Sequence, residues 1–195
     1  MTMESVLHPF ADAATAASVT VSTQRWLERA VIGLNLCPFA KAVHVKHQVR
    51  FAVTAAATRE ELLEELRHEL QVLGAAKPEV IATTLLIHPQ AMADFTEFSF
   101  FLREIDAVIR DLELEGTMQV ASFHPGYEFA GSASDDVANC TNRSPHPMLH
   151  LLRESDIDRA VAAFPDAATI YERNIETLRR LGHAGWSALF ASEAQ

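Results

Sequence analysis

The sequence predicts an α/β domain: a three- to four-stranded, mostly parallel sheet with helices packed on it, and a long functional loop after the third strand. Three observations carry that expectation. Strand-like and helix-like apolar patterns alternate along the chain, which is the mark of crossover units. Residues 80–87 form a near-continuous apolar, β-branched run, as a strand covered on both faces requires. The chain has 195 residues, 49% of them apolar and 22% charged, enough for one core without disulfide or metal staples.

Residues 1–14 are small, mixed and aperiodic and read as a disordered tail, leaving residues 15–195 as a single α/β domain. From about Ser18, Trp26, Leu27, Ala30, Val31 and Leu34 share one helical face; the pattern ends near Asn35, and Pro38 follows. Residues 47–53 alternate, with Val49, Phe51 and Val53 on one side, as a strand does. Thr58 and Glu61 have capping-box spacing and open a helix that turns Leu62, Leu63, Leu66, Leu70 and Leu73 inward and stops at Gly74. The 80–87 strand follows. Asp94 and Glu97 start the next helix, with Phe95, Phe98, Leu102, Ile105, Ile109 and Leu112 at three- and four-residue steps, and Gly116 closes it. Residues 118–123 are a third strand, and 148–152 a candidate fourth. A short helix begins near Ser155, Pro165 interrupts, and residues 166–181 form a last helix before Gly182.

Charge and cysteine count limit the function classes. Sixteen Lys and Arg against twenty-six Asp and Glu give a net charge of −10, which argues against a general nucleic-acid binder. The acidic excess lies mainly on the two capped helices, where Glu60, Glu61, Glu64, Glu65 and Glu69 read as a solvated face. Cys37 and Cys140 cannot build a disulfide framework and read as free thiols. No basic stretch precedes an apolar run at the N-terminus, and no apolar run spans a bilayer, so a cytoplasmic protein without membrane contact is expected.

The chemistry-bearing residues gather between positions 123 and 154. This stretch begins at a strand's carboxyl end, where ligands bind in open α/β sheets. It carries His124, His146 and His150 together with Arg143 and Arg153. Imidazoles suit proton transfer near neutrality, and guanidinium forks suit carboxylates and phosphates. His124 or His150 is thus the candidate acid/base, and Arg143 and Arg153, helped by Asn142 and Tyr127, the candidate clamp for a small anionic substrate. The competing reading pairs the arginines with Asp135, Asp136 or Glu154 and makes the loop purely structural. Pro145 and Pro147 interrupt the spacing of His146 and His150, so a helical metal-binding pair is not expected and no metal is assigned. The cofactor is unknown.

Cys37 precedes Pro38 at what reads as a helical turn, a position where backbone N–H groups favour thiolate, and Lys41 is close in sequence. Ala40 stands where a resolving cysteine would be, leaving a one-cysteine mechanism or an inert packed thiol. Asn174 faces the apolar side of the last helix and reads as a support for loop backbone, the 124–150 loop in the first place. Trp26 and Trp186 read as packing aromatics. No phosphate loop, nucleophile elbow or dinucleotide fingerprint occurs.

The strings Gly-Leu-Asn-Leu-Cys-Pro-Phe-Ala (33–40), Phe-His-Pro-Gly-Tyr-Glu-Phe (123–129), Thr-Asn-Arg-Ser-Pro-His-Pro (141–147), His-Leu-Leu-Arg-Glu (150–154) and Arg-Asn-Ile-Glu-Thr-Leu-Arg-Arg-Leu-Gly (173–182) resemble a bacterial family of uncharacterised proteins, the domain-of-unknown-function family numbered 1415. The resemblance spans most of the chain after the tail. It matches Cys37, His124, Arg143, His150 and Arg153, and implies no activity, substrate or cofactor. At His146 this chain departs from the family pattern, which usually has another aromatic there, and the departure weakens His146 as a ligand or catalyst. Three functions stay open: an enzyme acting on a small carboxylate or phosphate, a non-catalytic module binding a small ligand or partner peptide, and a loop ordered by its own polar residues.

Overall fold

The computed structural model describes residues 7–10, 12–163 and 169–191. Six helices and a four-stranded sheet follow one another as α1 (Ala13–Trp26), a π-helical segment (Leu27–Ile32), α2 (Ala40–Val45), β1 (Val49–Val53), α3 (Arg59–Ala75), β2 (Thr83–Ile87), α4 (Phe95–Asp111), β3 (Met118–Phe123), a 3-10 turn (Val137–Thr141), β4 (Met148–Arg153), α5 (Glu154–Ala163) and α6 (Ile170–Ala188). The expected start of the last helix at Asp166, and Pro165 before it, lie outside the described residues.

The mixed α/β class is as expected, but the sheet is not mostly parallel. Its order is β1-β2-β4-β3, with β1 parallel to β2 and β4 antiparallel to both of its neighbours. The connections explain this. β1 reaches β2 through α3, and β2 reaches β3 through α4, so these three strands run the same way. The 124–147 loop contains only a 3-10 turn. Without a covering helix to carry a crossover, the chain turns back and inserts β4 antiparallel in the gap between β2 and β3.

Both capped helices start as their sequences dictate. Thr58 accepts from the Glu61 N–H at 3.2 Å while the Glu61 carboxylate accepts from the Thr58 N–H at 3.1 Å, and Asp94 accepts from the Glu97 N–H at 2.9 Å. α3 and α4 cover one face of the sheet, where Leu62, Leu66, Leu70, Phe98, Phe101 and Ile105 pack on Ala52, Leu86, Leu149 and Leu151. On the other face, α1 and the π segment place Trp26, Leu27 and Ala30 against Val53, Leu85, Ile87 and Met148. β2 is buried along its whole length, as a strand covered on both faces is, but it spans Thr83–Ile87 rather than residues 80–87, and Val80 lies outside it, exposed.

Glu65 and Glu69 do not join the solvated face expected of α3; both are fully buried. The Glu69 carboxylate accepts two bonds from Arg50 at 2.7 and 2.9 Å. Glu65 accepts from Thr54 at 2.9 Å and from the His8 backbone N–H at 2.6 Å. Heptad-like spacing of the leucines cannot show that the edge strand β1 offers polar partners to the flank of the helix. The same contacts tie down residues 7–10 within the expected tail; residues 1–6 and 11 lie outside the described residues.

Two backbone features shape the face that α1 covers. The π segment widens one turn, and Gly33 closes it with its N–H on the Glu28 carbonyl at 2.9 Å. A Cβ at Gly33 would sit 2.3 Å from the Arg29 carbonyl oxygen, so only glycine fits. At Gly182 (φ 67°, ψ 173°) α6 breaks and changes direction. The helical turns beyond it, which the sequence reading ended at Leu181, bring Trp186, Leu189 and Phe190 back onto the α1 cluster, where Arg29 bonds the Leu189 carbonyl at 2.9 Å.

Candidate functional site

The loop that follows β3 is held together by its own polar groups. Asn139, fully buried, accepts from the Phe129 N–H at 3.1 Å and the Ser132 hydroxyl at 2.8 Å, and donates to the Ala133 carbonyl at 2.9 Å. Asn142 donates to the Ser122 carbonyl at 3.1 Å and its own carbonyl accepts from the His124 N–H at 3.2 Å. Tyr127 sits in a chain of rings, 5.2 Å from Phe95 and 5.0 Å from Phe129, which in turn lies 5.8 Å from Tyr171 on α6.

The two histidines at the ends of this stretch are neutral and internally bonded. His124, 2% exposed, is stacked on Phe98 at 5.2 Å. Its Nε2 donates to the Met92 carbonyl at 3.1 Å and its Nδ1 accepts from the Gly126 N–H at 3.0 Å, which fixes the tautomer. Burial holds its pKa below the ordinary imidazole value, against the opposing pull of the Met92 and Ala93 carbonyls. His150 lies on the opposite face of the sheet. The Thr83 hydroxyl oxygen lies 2.7 Å from both the Leu151 carbonyl and His150 Nε2, so the imidazole is bonded within the sheet. Desolvation pushes His150 down to about 4.

The arginines are separated as well. Arg153, 8% exposed, reaches through the α3 side of the sheet and donates to the carbonyls of Ile81 and Ala82 from one Nη and of Leu73 and Ala76 from the other. It therefore caps the C-terminal end of α3, where carbonyls lack helical partners. Arg143 bonds the Tyr127 carbonyl at 3.1 Å and the Ser134 carbonyl at 2.7 Å. Cys37 receives the N–H groups of Phe39 and Ala40, as a capping thiol would, yet its burial outweighs them and its pKa is raised. The helix that follows starts at Ala40, with Phe39 and not Cys37 at its N-cap. Asn174 supports loop backbone as expected, but the carbonyl it reaches, at 2.9 Å, is that of Leu36 in the turn before Cys37.

Of the seven expected site residues, Arg143 alone lines a cleft formed by α1, the 143–145 segment and the end of α6. This cleft holds about 460 Å³, within the range of small-ligand sites, and is walled by Ser22, Arg25, Trp26, Pro125, Arg143, Ser144, Pro145, Trp186 and Phe190. Ser22, Arg25 and Trp26 stand at i, i+3 and i+4 on α1 and so share one helical face. Trp26 joins the two sides: its indole N–H donates to the Arg143 carbonyl at 2.9 Å, and its ring meets Phe123 edge-on at 5.2 Å. Trp186 and Phe190 pack edge to face at 5.4 Å and close the far wall. His146 stands behind Ser22, its Nε2 2.8 Å from the Ser22 hydroxyl oxygen. Arg25 is exposed and makes no hydrogen bond or ion pair with any described residue.

Reading the sequence alone misses Arg25, Ser22 and the role of the two tryptophans. Arg25 stands beside Trp26 without a motif. The signal that would have found them is Gly182, which predicts a change of direction that returns Trp186 toward the first helix. Among the described residues no three His, Cys, Asp or Glu side chains converge as metal ligands, and no helix is long and apolar enough to cross a membrane.

No curated protein and no solved structure matches the chain. A family model, that of a protein of unknown function (DUF1415), matches residues 18–188. That match takes in α1 from Ser18 onward, the whole sheet, the loop and all of α6, and the chain is a member of the DUF1415 family.

Proposed function

We propose that the cleft between α1, the 143–145 segment and the end of α6 binds a small aromatic or apolar anion, a carboxylate or a phosphate ester. One observation carries this reading: the guanidinium of Arg25, which has no partner among the described residues, stands at a cleft walled largely by indole, phenyl and proline rings. Folding commits the Arg153 guanidinium to four carbonyls, whereas that of Arg25 has no partner among the described residues. Rings supply apolar area and stacking, and the guanidinium supplies a bidentate, charge-assisted contact that fixes orientation. Arg143 stays in the proposed site as a wall. His124, His150 and Arg153 support the scaffold, and Cys37, Asn142 and Tyr127 position the turn and loop around it. The free thiols Cys37 and Cys140 fit a cytoplasmic setting, with residues 15–195 acting as one domain.

Both tryptophans line the cleft, so their fluorescence reports on occupancy. Titration with benzoate, phenyl phosphate and benzyl alcohol tests the reading. The two anions should change the emission saturably and the alcohol should bind at least ~10-fold more weakly, as loss of a charge-assisted bond implies. Equal binding of all three would leave an apolar cleft with no anion preference.

A further inference from the structure

We infer that Ser22 and His146 form a nucleophile and general-base pair in this cleft, which hydrolyses carboxylic esters of small aromatic or apolar acids. The inference rests on the ligand reading above and extends it: the anion held by Arg25 becomes the product of the reaction.

The geometry is that of an activated hydroxyl. Ser22 Oγ lies 2.8 Å from His146 Nε2, within the reach expected of a nucleophile and its base. The hydroxyl hydrogen has two acceptors at hand, the Val19 carbonyl at 2.9 Å and His146 Nε2; rotation to the imidazole gives the reactive arrangement. Ser22 lines the cleft while His146 lies behind it, so a substrate meets the hydroxyl and not the base. Burial lowers the pKa of His146, which keeps the ring neutral and able to accept a proton near pH 7. Arg25, one turn along the same helical face, lines the same cleft as Ser22 and supplies its positive charge there.

The chemistry balances with water as the second reactant. Ser22 Oγ attacks the ester carbonyl carbon as its proton passes to His146 Nε2. The bond from carbon to the leaving oxygen breaks, and the alcohol departs with the proton from His146. Water then attacks the acyl-Ser22 ester, again losing a proton to His146. Collapse returns that proton to Ser22 Oγ and releases the carboxylic acid, which ionises and rests on Arg25.

The test is covalent capture by a small alkyl fluorophosphonate, read by intact-protein mass spectrometry and peptide mapping. One adduct per chain on Ser22 is expected, absent in Ser22→Ala and formed on the order of 100-fold more slowly in His146→Phe, the scale of general-base assistance. Mapping the unsubstituted protein needs no variant to fold, and the Phe replacement keeps an aromatic ring in the His146 space. No adduct, an adduct elsewhere, or an unchanged rate in His146→Phe would overturn the inference. Labelling of Ser22 without benzoate binding would fail the anion reading and keep the pair; benzoate binding without labelling would do the reverse.

Discussion

Arg153 and Arg25 mark two regions of this molecule that use the same side chain in opposite ways. Arg153 sits among aliphatic side chains on the α3 face of the sheet, with carbonyls of four residues around its guanidinium. Arg25 sits on the exposed face of α1, beside two tryptophans, with no partner among the described residues. The difference teaches where to look for function in a chain rich in polar motif residues. The 124–147 loop concentrates polar side chains such as Asn139, Asn142 and Arg143 because a long loop without regular structure must satisfy its backbone from side chains, while His150 and Arg153 lie on the strand that follows. The face of α1 carries fewer polar groups, and those are turned outward over a cleft.

The comparison breaks first at Arg153. Replacement by Met should leave several buried carbonyls unpaired and cost about 3 kcal/mol or more in urea unfolding, whereas Arg25→Met should stay within about 0.5 kcal/mol of the parent. Equal, small effects would erase the distinction between a structural and a free guanidinium.

His88 sharpens the contrast on the scaffold side. It is fully buried on Phe98, donates to the Ala91 carbonyl at 3.1 Å, and is pushed down to about 4 by desolvation. Its folded pKa lies below its unfolded value, so its contribution is intact above pH 6.5 and is lost as the pH falls toward 4. The acid loss from this group is at most about 3 kcal/mol. His88→Leu should flatten the stability profile over that window, and a profile of unchanged steepness would show that His88 is not what titrates.

Thr58 gives the smallest effect and lies in neither region. Thr58→Ala removes half of the capping box and should cost about 1 kcal/mol, with no effect on benzoate binding. A change in binding would mean that α3 communicates with the cleft.

The local rules were readable in the chain. The capping residues of α3 and α4 and the leucine face of α3 follow from spacing and propensity and form as expected, and the buried strand forms over Thr83–Ile87 of the expected 80–87 run. What was not readable depends on tertiary placement. The direction of β4 is set by a loop too irregular to cross over the sheet. The burial of Glu65 and Glu69 depends on Arg50, Thr54 and His8 lying beside α3. The gathering of His124, Arg143, His150 and Arg153 in sequence did not become a gathering in space: His150 and Arg153, an odd number of residues apart on one strand, point to opposite faces. Arg25, Trp26 and Trp186 meet only because Gly182 redirects the last helix.

The central claim is that Arg25, whose guanidinium has no partner among the described residues, binds the ligand anion in the cleft. Its most direct test is the benzoate affinity of Arg25→Ala, read by tryptophan fluorescence alongside a melting curve. The account predicts an unchanged melting temperature and an affinity about 10- to 100-fold lower, as removal of a charge-assisted bond implies. Full affinity in a folded Arg25→Ala protein would contradict it.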